Sequence, residues 1–400
     1  MTACVLESIT DSGTVRVRPA PMTIAADGGY AARLVSGGQP GSWYPERWTL
    51  GGPEPYAVPL PLAQPEEVES ELLPLADGRV LIRRRVADRH DVALLYPSGP
   101  STGELPLGSV ACDRLVLLPP PPGGTDAFAL APGERSTAVW RVHGGTAGPE
   151  CVAELPGHCS GGAWLDRTGR LLALDQELAE GGPVKALAVD LGRGGETSPL
   201  LQITEDSNDR VLLADPDSGL LLVRSDAAGH DRLGWGVLGS RHPLRFPEVL
   251  RLADAAVTPF AVQPGQMLMP ENCAVALRID GPAGSRVGIW RPAGRRLHQL
   301  PAPVGWLAGV GLWTARGELR LPCSTPQMPC GVARTVAPAD APGPVRPVPP
   351  AGPGTAGPDL SGRATSELEL AGRGAVVTVR RADAPLRPVP LQQAPMARTR

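Results

Sequence analysis

The sequence predicts an all-β chain folded as a seven-bladed β-propeller of four-stranded blades. Three observations carry that prediction. Gly (49) and Pro (47) make up nearly a quarter of the 400 residues, and they punctuate short apolar runs rather than replacing them. A unit of apolar strand, small or polar residue, Gly and apolar strand recurs seven times. Helical periodicity is nearly absent; the only helix candidates are residues 65–73 and 175–180.

The seven units are "MTIAADGGYAARLV" (22–35), "LLPLADGRVLIRR" (72–84), "AFALAPGERSTAVWRV" (127–142), "AWLDRTGRLLALD" (163–175), "LLADPDSGLLLVRS" (212–225), "PFAVQPGQMLMP" (259–270) and "GLWTARGELRLP" (311–322). Their structural turn glycines are Gly28, Gly78, Gly133, Gly169, Gly219, Gly265 and Gly317, at intervals of 50, 55, 36, 50, 46 and 52 residues. The mean, roughly 48, falls in the range of a four-stranded propeller blade, whereas a pair of sandwiches or barrels requires no such super-period. Glycine serves these turns because it tolerates a positive φ. Outer strands follow the anchors: "DVALLYP" and "STGELPL" in the second blade, "VKALAVDL" and "PLLQIT" in the fourth, "CAVALRID", "RVGIWRP" and "RLHQLP" in the sixth.

The divisions follow. Residues 1–19 form an N-terminal segment in which "GTVRVRP" (13–19) is a candidate closing strand. Residues 20–337 form the propeller, and 338–359 a Pro/Gly-rich linker of extended character. Residues 360–400 form a tail with a candidate hairpin at 366–381, where Glu367, Leu368, Glu369 and Leu370 alternate before a Gly turn.

Bulk properties bound the function. Net charge is −3, so nucleic acid is not an expected partner. No run of 18 apolar residues appears, so no membrane partner is expected. The N-terminus lacks a basic stretch followed by an apolar one, and the seven cysteines are odd in number and widely spaced; both favour reduced thiols and a cytoplasmic location. Arginine supplies all but one of the 38 basic residues, as a GC-rich coding bias would give; Lys185 is the lone lysine.

Chemical candidates are few. Ser101 centres a literal G-x-S-x-G, "GPSTG", but Pro106 and Gly108 follow where a nucleophile elbow needs a helix, so it reads as a turn. "GHCSGG" (157–162) runs straight into an apolar strand and reads as a loop. His143, Cys151, His158 and Cys159 are zinc-binding types without a C-x-x-C knuckle. Asp215 and Asp217 sit in an oxygen-rich stretch that lacks the bidentate Glu of a calcium loop. No catalytic residue, metal or cofactor is therefore assigned. Trp140, Trp164, Trp290 and Trp313 lie in strands and read as core, whereas Trp43, Tyr44 and Trp48 fall in a Gly/Pro-rich stretch and are the surface-binding candidates.

The turns "LAPGE" (130–134) and "VQPGQ" (262–266) resemble the P-D-G turn of TolB-like propellers and of the propeller in prolyl oligopeptidase-like serine peptidases. "GLWTARGELRLPCSTPQMPCGVARTVAP" (311–338) resembles the last blade of those peptidases, and 366–391 the strand pair that opens their hydrolase. The resemblance implies a propeller whose enzyme is missing: 63 residues follow Ala337, too few for an α/β-hydrolase. Two functions follow as expectations. One is a non-catalytic propeller holding an unknown protein or peptide at one face or in its channel. The other is an enzyme part, either the gate of a separately encoded hydrolase or a metal-dependent propeller enzyme.

Overall fold

The computed structural model describes residues 22–38, 42–265 and 268–338, together with the backbone of two strands, Val5–Ile9 and Val15–Pro19, that pair with each other. Within these residues seven further antiparallel sheets follow one another along the chain. They span 23–59, 71–111, 116–156, 158–201, 209–237, 256–301 and 312–336, and each is a meander whose sequence order is its spatial order. Five have four strands. Blade 5 has three, its outer edge capped by Arg245, which exchanges two backbone hydrogen bonds with Trp235 at 2.9 and 3.0 Å. Blade 7 has three among the described residues. Among the described residues helix is limited to three short 3-10 turns.

Both helix candidates are corrected. Glu71–Pro74 is the first strand of blade 2 and Leu171–Glu177 the second strand of blade 4. Burial on both faces decided the matter, because Leu72 and Leu73 enter two different cores. That division runs through every blade. Successive side chains of a strand point to opposite faces. In Leu220–Ser225, Leu220 and Leu222 pack towards blade 6 while Leu221 and Val223 pack towards blade 4. Seven blades thereby enclose seven apolar clusters, one at each interface. An open row of seven would have only six. The seventh joins Ile24, Ala31 and Trp48 of blade 1 to Val310, Leu312 and Val332 of blade 7, and so closes the ring.

An antiparallel meander places its first and third turns on one face of the ring and its second turn and the inter-blade connections on the other. Gly28, Gly78, Gly169, Gly219 and Gly317 stand at first turns with φ of +73°, +83°, +70°, +75° and +79°. Gly265 also lies after a first strand, without a positive φ. Gly133 lies between the second and third strands, Ala127–Pro132 and Ser136–His143, on the opposite face. Its counterpart in blade 3 is Gly124, with φ of +68°. Substituting Gly124 for Gly133 changes the intervals of 55 and 36 to 46 and 45.

The linker 338–359 and the tail hairpin 366–381 lie outside the described residues, apart from Pro338. Among the described residues no helix is long and apolar enough to cross a membrane.

Candidate functional site

The third strand of blade 1, Trp43–Thr49, positions the three aromatic candidates. The stretch is a strand, not a loop, and it separates them. Trp48 is fully buried, its Nε1 donating to Glu46 Oε1 at 2.6 Å and its ring 4.8 Å from the guanidinium of Arg33. It belongs to the closing seam and is withdrawn from any surface role. Trp43 and Tyr44, at the start of the strand, remain half-buried.

Beside them runs the connection to blade 2. Leu60 N donates to Pro45 O and Glu66 N donates to Trp43 O, both at 2.8 Å. Between those two bonds Pro61 and Pro65 have no N–H to give, so the chain cannot continue a ladder and bows outward. The gap is a cleft of about 220 Å³ walled by Trp43, Tyr44 and Pro45 on one side and Pro61, Leu62 and Pro65 on the other. Glu66 anchors its far end. Its carboxylate is buried and accepts two 2.8 Å bonds from Arg84 of blade 2, which also reaches Glu104 at 2.5 Å. The signal missed in the sequence is the pair of prolines opposite an aromatic strand start; the acidic stretch after them reads as helical.

The other candidates are dispersed or occupied. Ser101 caps the blade 2 hairpin, its Oγ donating to Ser98 O at 3.0 Å. "GHCSGG" enters the first strand of blade 4, where a bulge sits between Ser160 and Ala163. There His158 is exposed while Cys159 is buried, its thiol pushed up to about 11 by burial. Cys151 is exposed on the last strand of blade 3. His143 ends the strand before it, held below the ordinary imidazole range by burial and then by Arg79. Asp215 accepts from Ser218 Oγ at 2.6 Å, Ser218 N at 3.0 Å and Gly265 N of the next blade at 2.9 Å, so its oxygens tie two turns together. Asp217 pairs with Arg167 of blade 4. Among the described residues no three His, Cys, Asp or Glu side chains gather to hold a metal. Trp164, Trp290 and Trp313 are buried and Trp140 is half-buried.

One cluster that sequence reading missed has the composition of a nucleophile site. Ser207 Oγ donates to Asp209 Oδ2 at 2.7 Å and lies 3.3 Å from Lys185 Nζ. The ammonium, however, is directed at Thr204 O and Ser207 O, both 2.5 Å away, and at Asp209 Oδ2 at 3.1 Å. With its donors committed, Lys185 has no lone pair to take a proton from Ser207. The cluster fastens the connection between blades 4 and 5.

No protein-family model matches the chain, and no curated protein matches it. Solved structures do. The chain is similar to a puromycin-hydrolyzing peptidase of Mycobacterium tuberculosis, at 15% identity and a TM-score of 0.50, over 79% of this chain and 51% of that one. It is similar to prolyl oligopeptidase B of Galerina marginata, at 13% identity and a TM-score of 0.52, over 79% and 49%. The propeller domain of the Trilobed protease of Pyrococcus furiosus, described as having an open velcro topology, matches at 8% identity and a TM-score of 0.50, over 85% and 97%. The fold is a seven-bladed β-propeller. At these identities the likeness is one of fold, and the chain spans about half the length of the two peptidases.

Proposed function

We propose that the chain is a non-catalytic propeller that holds a protein or peptide ligand at one face, with the cleft beside Trp43 and Tyr44 as its point of contact. The observation that carries this reading is the cleft itself: a strand that starts with the half-buried Trp43 and Tyr44 borders a proline-walled gap, on the face that carries the inter-blade connections. Aromatic anchors in concave sites supply most of the energy of such contacts. Support also comes from Ser101, which sits at a hairpin tip with a backbone carbonyl as its partner, and from Lys185, whose donors are engaged. The test is a peptide array probed with the purified chain and with its Trp43→Ala variant. Binding that the variant loses upholds the reading, and binding that the variant keeps overturns the choice of site.

A second reading is favoured by the fold likeness to the propeller parts of prolyl oligopeptidases: a gate for a separately encoded hydrolase. Its test is co-purification of a partner that reacts with a fluorophosphonate, with no label on this chain.

A further inference from the structure

We propose that the open edge of blade 7 is a docking surface for this chain's own N-terminal strand: Val15–Pro19 adds to Gly331–Val336 as the fourth strand of that blade and closes the ring with a backbone ladder. The inference rests on the fold and is separate from the cleft.

The first argument is the edge. Gly331–Val336 is the third strand of blade 7 and pairs on one side only among the described residues. In an antiparallel pair, residues opposite one another alternate between exchanging bonds and pointing their backbone groups away from each other. Pro322 stands opposite Val332, and its carbonyl accepts from Leu307 N on the far side. Val332 therefore turns its own N–H and C=O outward, and Arg334 and Val336 follow by the alternation of the strand. Blade 5, the other three-stranded blade, has its edge capped by Arg245. Among the described residues nothing caps this edge of blade 7. A row of outward backbone groups is a template for a further strand.

The second argument is that the chain leaving blade 7 does not fill the place. Ala337 packs against the core between blades 6 and 7, and Pro338 O accepts from Arg291 Nη1 of blade 6 at 2.8 Å. The chain thus departs towards blade 6 instead of turning back along the edge. The sequence then has proline at 338, 342, 344, 347, 349 and 350. A return strand so interrupted lacks the N–H groups of a ladder.

The third argument is chain position. Every four-stranded blade passes from its fourth strand to the next blade through a short link, 60–70, 112–115, 157, 202–208 or 302–311. Val15–Pro19 holds the same place before blade 1, with 20–22 as its link to Thr23–Ile24. Met22, at the end of that link, is buried in the cluster against which Val332 packs. The link therefore ends beside the open edge. Because it enters the start of the first strand, Val15–Pro19 would run antiparallel to Gly331–Val336, as a fourth strand must. Its five residues match the six of the edge. Val15, Arg16, Val17 and Arg18 alternate apolar and charged in sequence, the pattern of a strand covered on one face. Val5–Ile9 pairs along one edge of this strand and leaves the other for blade 7.

Hydrogen exchange read at single residues tests the assignment. In the full chain the amides of Val332, Arg334 and Val336 should exchange at least about tenfold more slowly than in a chain that begins at Ala20. Gly331, Ala333 and Thr335, which face Glu318–Cys323, should exchange alike in both, and this separates loss of one ladder from unfolding of the blade. Val17→Pro in the full chain, which removes an N–H from the added strand, should quicken the same three outward amides. Fast exchange of those amides in the full chain overturns the inference, and so does protection that survives both variants. Protection lost on deleting 339–400, or on diluting a dimer, overturns it as well, by assigning the edge to the tail or to a second copy.

Discussion

Arg33 of blade 1 donates from Nη2 to Ser324 Oγ of blade 7 at 3.2 Å, joining two positions 291 residues apart. The same guanidinium donates from Nε to Glu46 Oε1 at 2.9 Å and lies over the ring of Trp48. Among the described residues no backbone ladder crosses from blade 7 to blade 1, and the contacts they make across that seam are side-chain ones. Elsewhere a short connection tethers each blade to the next. At this seam, among the described residues, Arg33 and Trp48 stand in its place.

Arg33→Ala should therefore open the seam selectively. The side chain is mostly buried and paired, so its loss should cost about 3 kcal/mol. Hydrogen exchange should quicken in 22–36 and 312–336 and stay unchanged in blade 4. Arg33→Lys should recover little, since an ammonium cannot stack on the indole while serving Glu46 and Ser324 together. Uniform acceleration around the ring would show that the seam has no separate stability.

Lys185 offers a test with few confounders, because it is the only lysine. Its amine is directed inward at Thr204 O, Ser207 O and Asp209. An amine-acylating reagent should leave Lys185 unmodified in the native protein and reach it only after unfolding. Lys185→Met should cost about 3–5 kcal/mol, because Asp209 is fully buried and would lose its counter-charge. Adding Asp209→Asn should recover part of the loss. Rapid native acylation of Lys185 would contradict the inward geometry.

A Cβ added at Gly265 would collide with Ser218 Cβ of blade 5, although Gly265 has no positive φ. At Gly124 the φ is +68° and an added Cβ would stand 2.8 Å from that of Ala76. Gly265→Ala should thus destabilise for reasons of contact, and Ser218→Gly should relieve part of it in the double variant, the 2.7 Å approach to Asp215 Oδ2 remaining. Gly124→Ala should cost about 1–3 kcal/mol through backbone strain, with no such relief from Ala76→Gly beyond the contact itself. Both effects are read from urea midpoints. Equal rescue at the two sites would merge the two mechanisms.

The glycines also show how far the sequence could be read. The blade period was legible because turn glycine and two-faced apolar strands recur together. Gly124 was not, because the first strand of blade 3 is only Val116–Leu117 and four prolines, 119–122, separate the apolar run 115–118 from the turn; the stronger pattern around Gly133 belongs to the next turn. Trp48 was misplaced for a different reason. Its neighbours Gly41, Ser42 and Pro45 signal a loop locally, and only packing across the seam draws Trp43–Thr49 into a strand. The cleft depends on Pro61 and Pro65 facing a strand that precedes them in the chain, a relation that single-sequence periodicity does not contain.

Stability should fall between pH 7 and pH 5, and His90 supplies part of the slope. Its ring is buried on the third strand of blade 2, directly across from Arg85. Nε2 lies 3.4 Å from Asp113 O, while Nδ1 has no partner among the described residues. Burial holds its pKa below the ordinary 6.5, with Arg83 adding to the shift and Arg85 contributing less. The unfolded chain therefore takes up the proton first. Above pH 6.5 both states are neutral and the contribution is complete; as pH falls below 6.5 the unfolded state is favoured progressively, until the folded pKa is reached and the loss levels off. His143 is shifted the same way by burial and Arg79. The urea midpoint of the wild type should drop across this window. His90→Gln should flatten the drop and His90→Gln/His143→Gln should flatten it further, whatever either substitution does to stability at pH 7. An unchanged slope in the double variant would show that neither ring resists protonation in the folded protein.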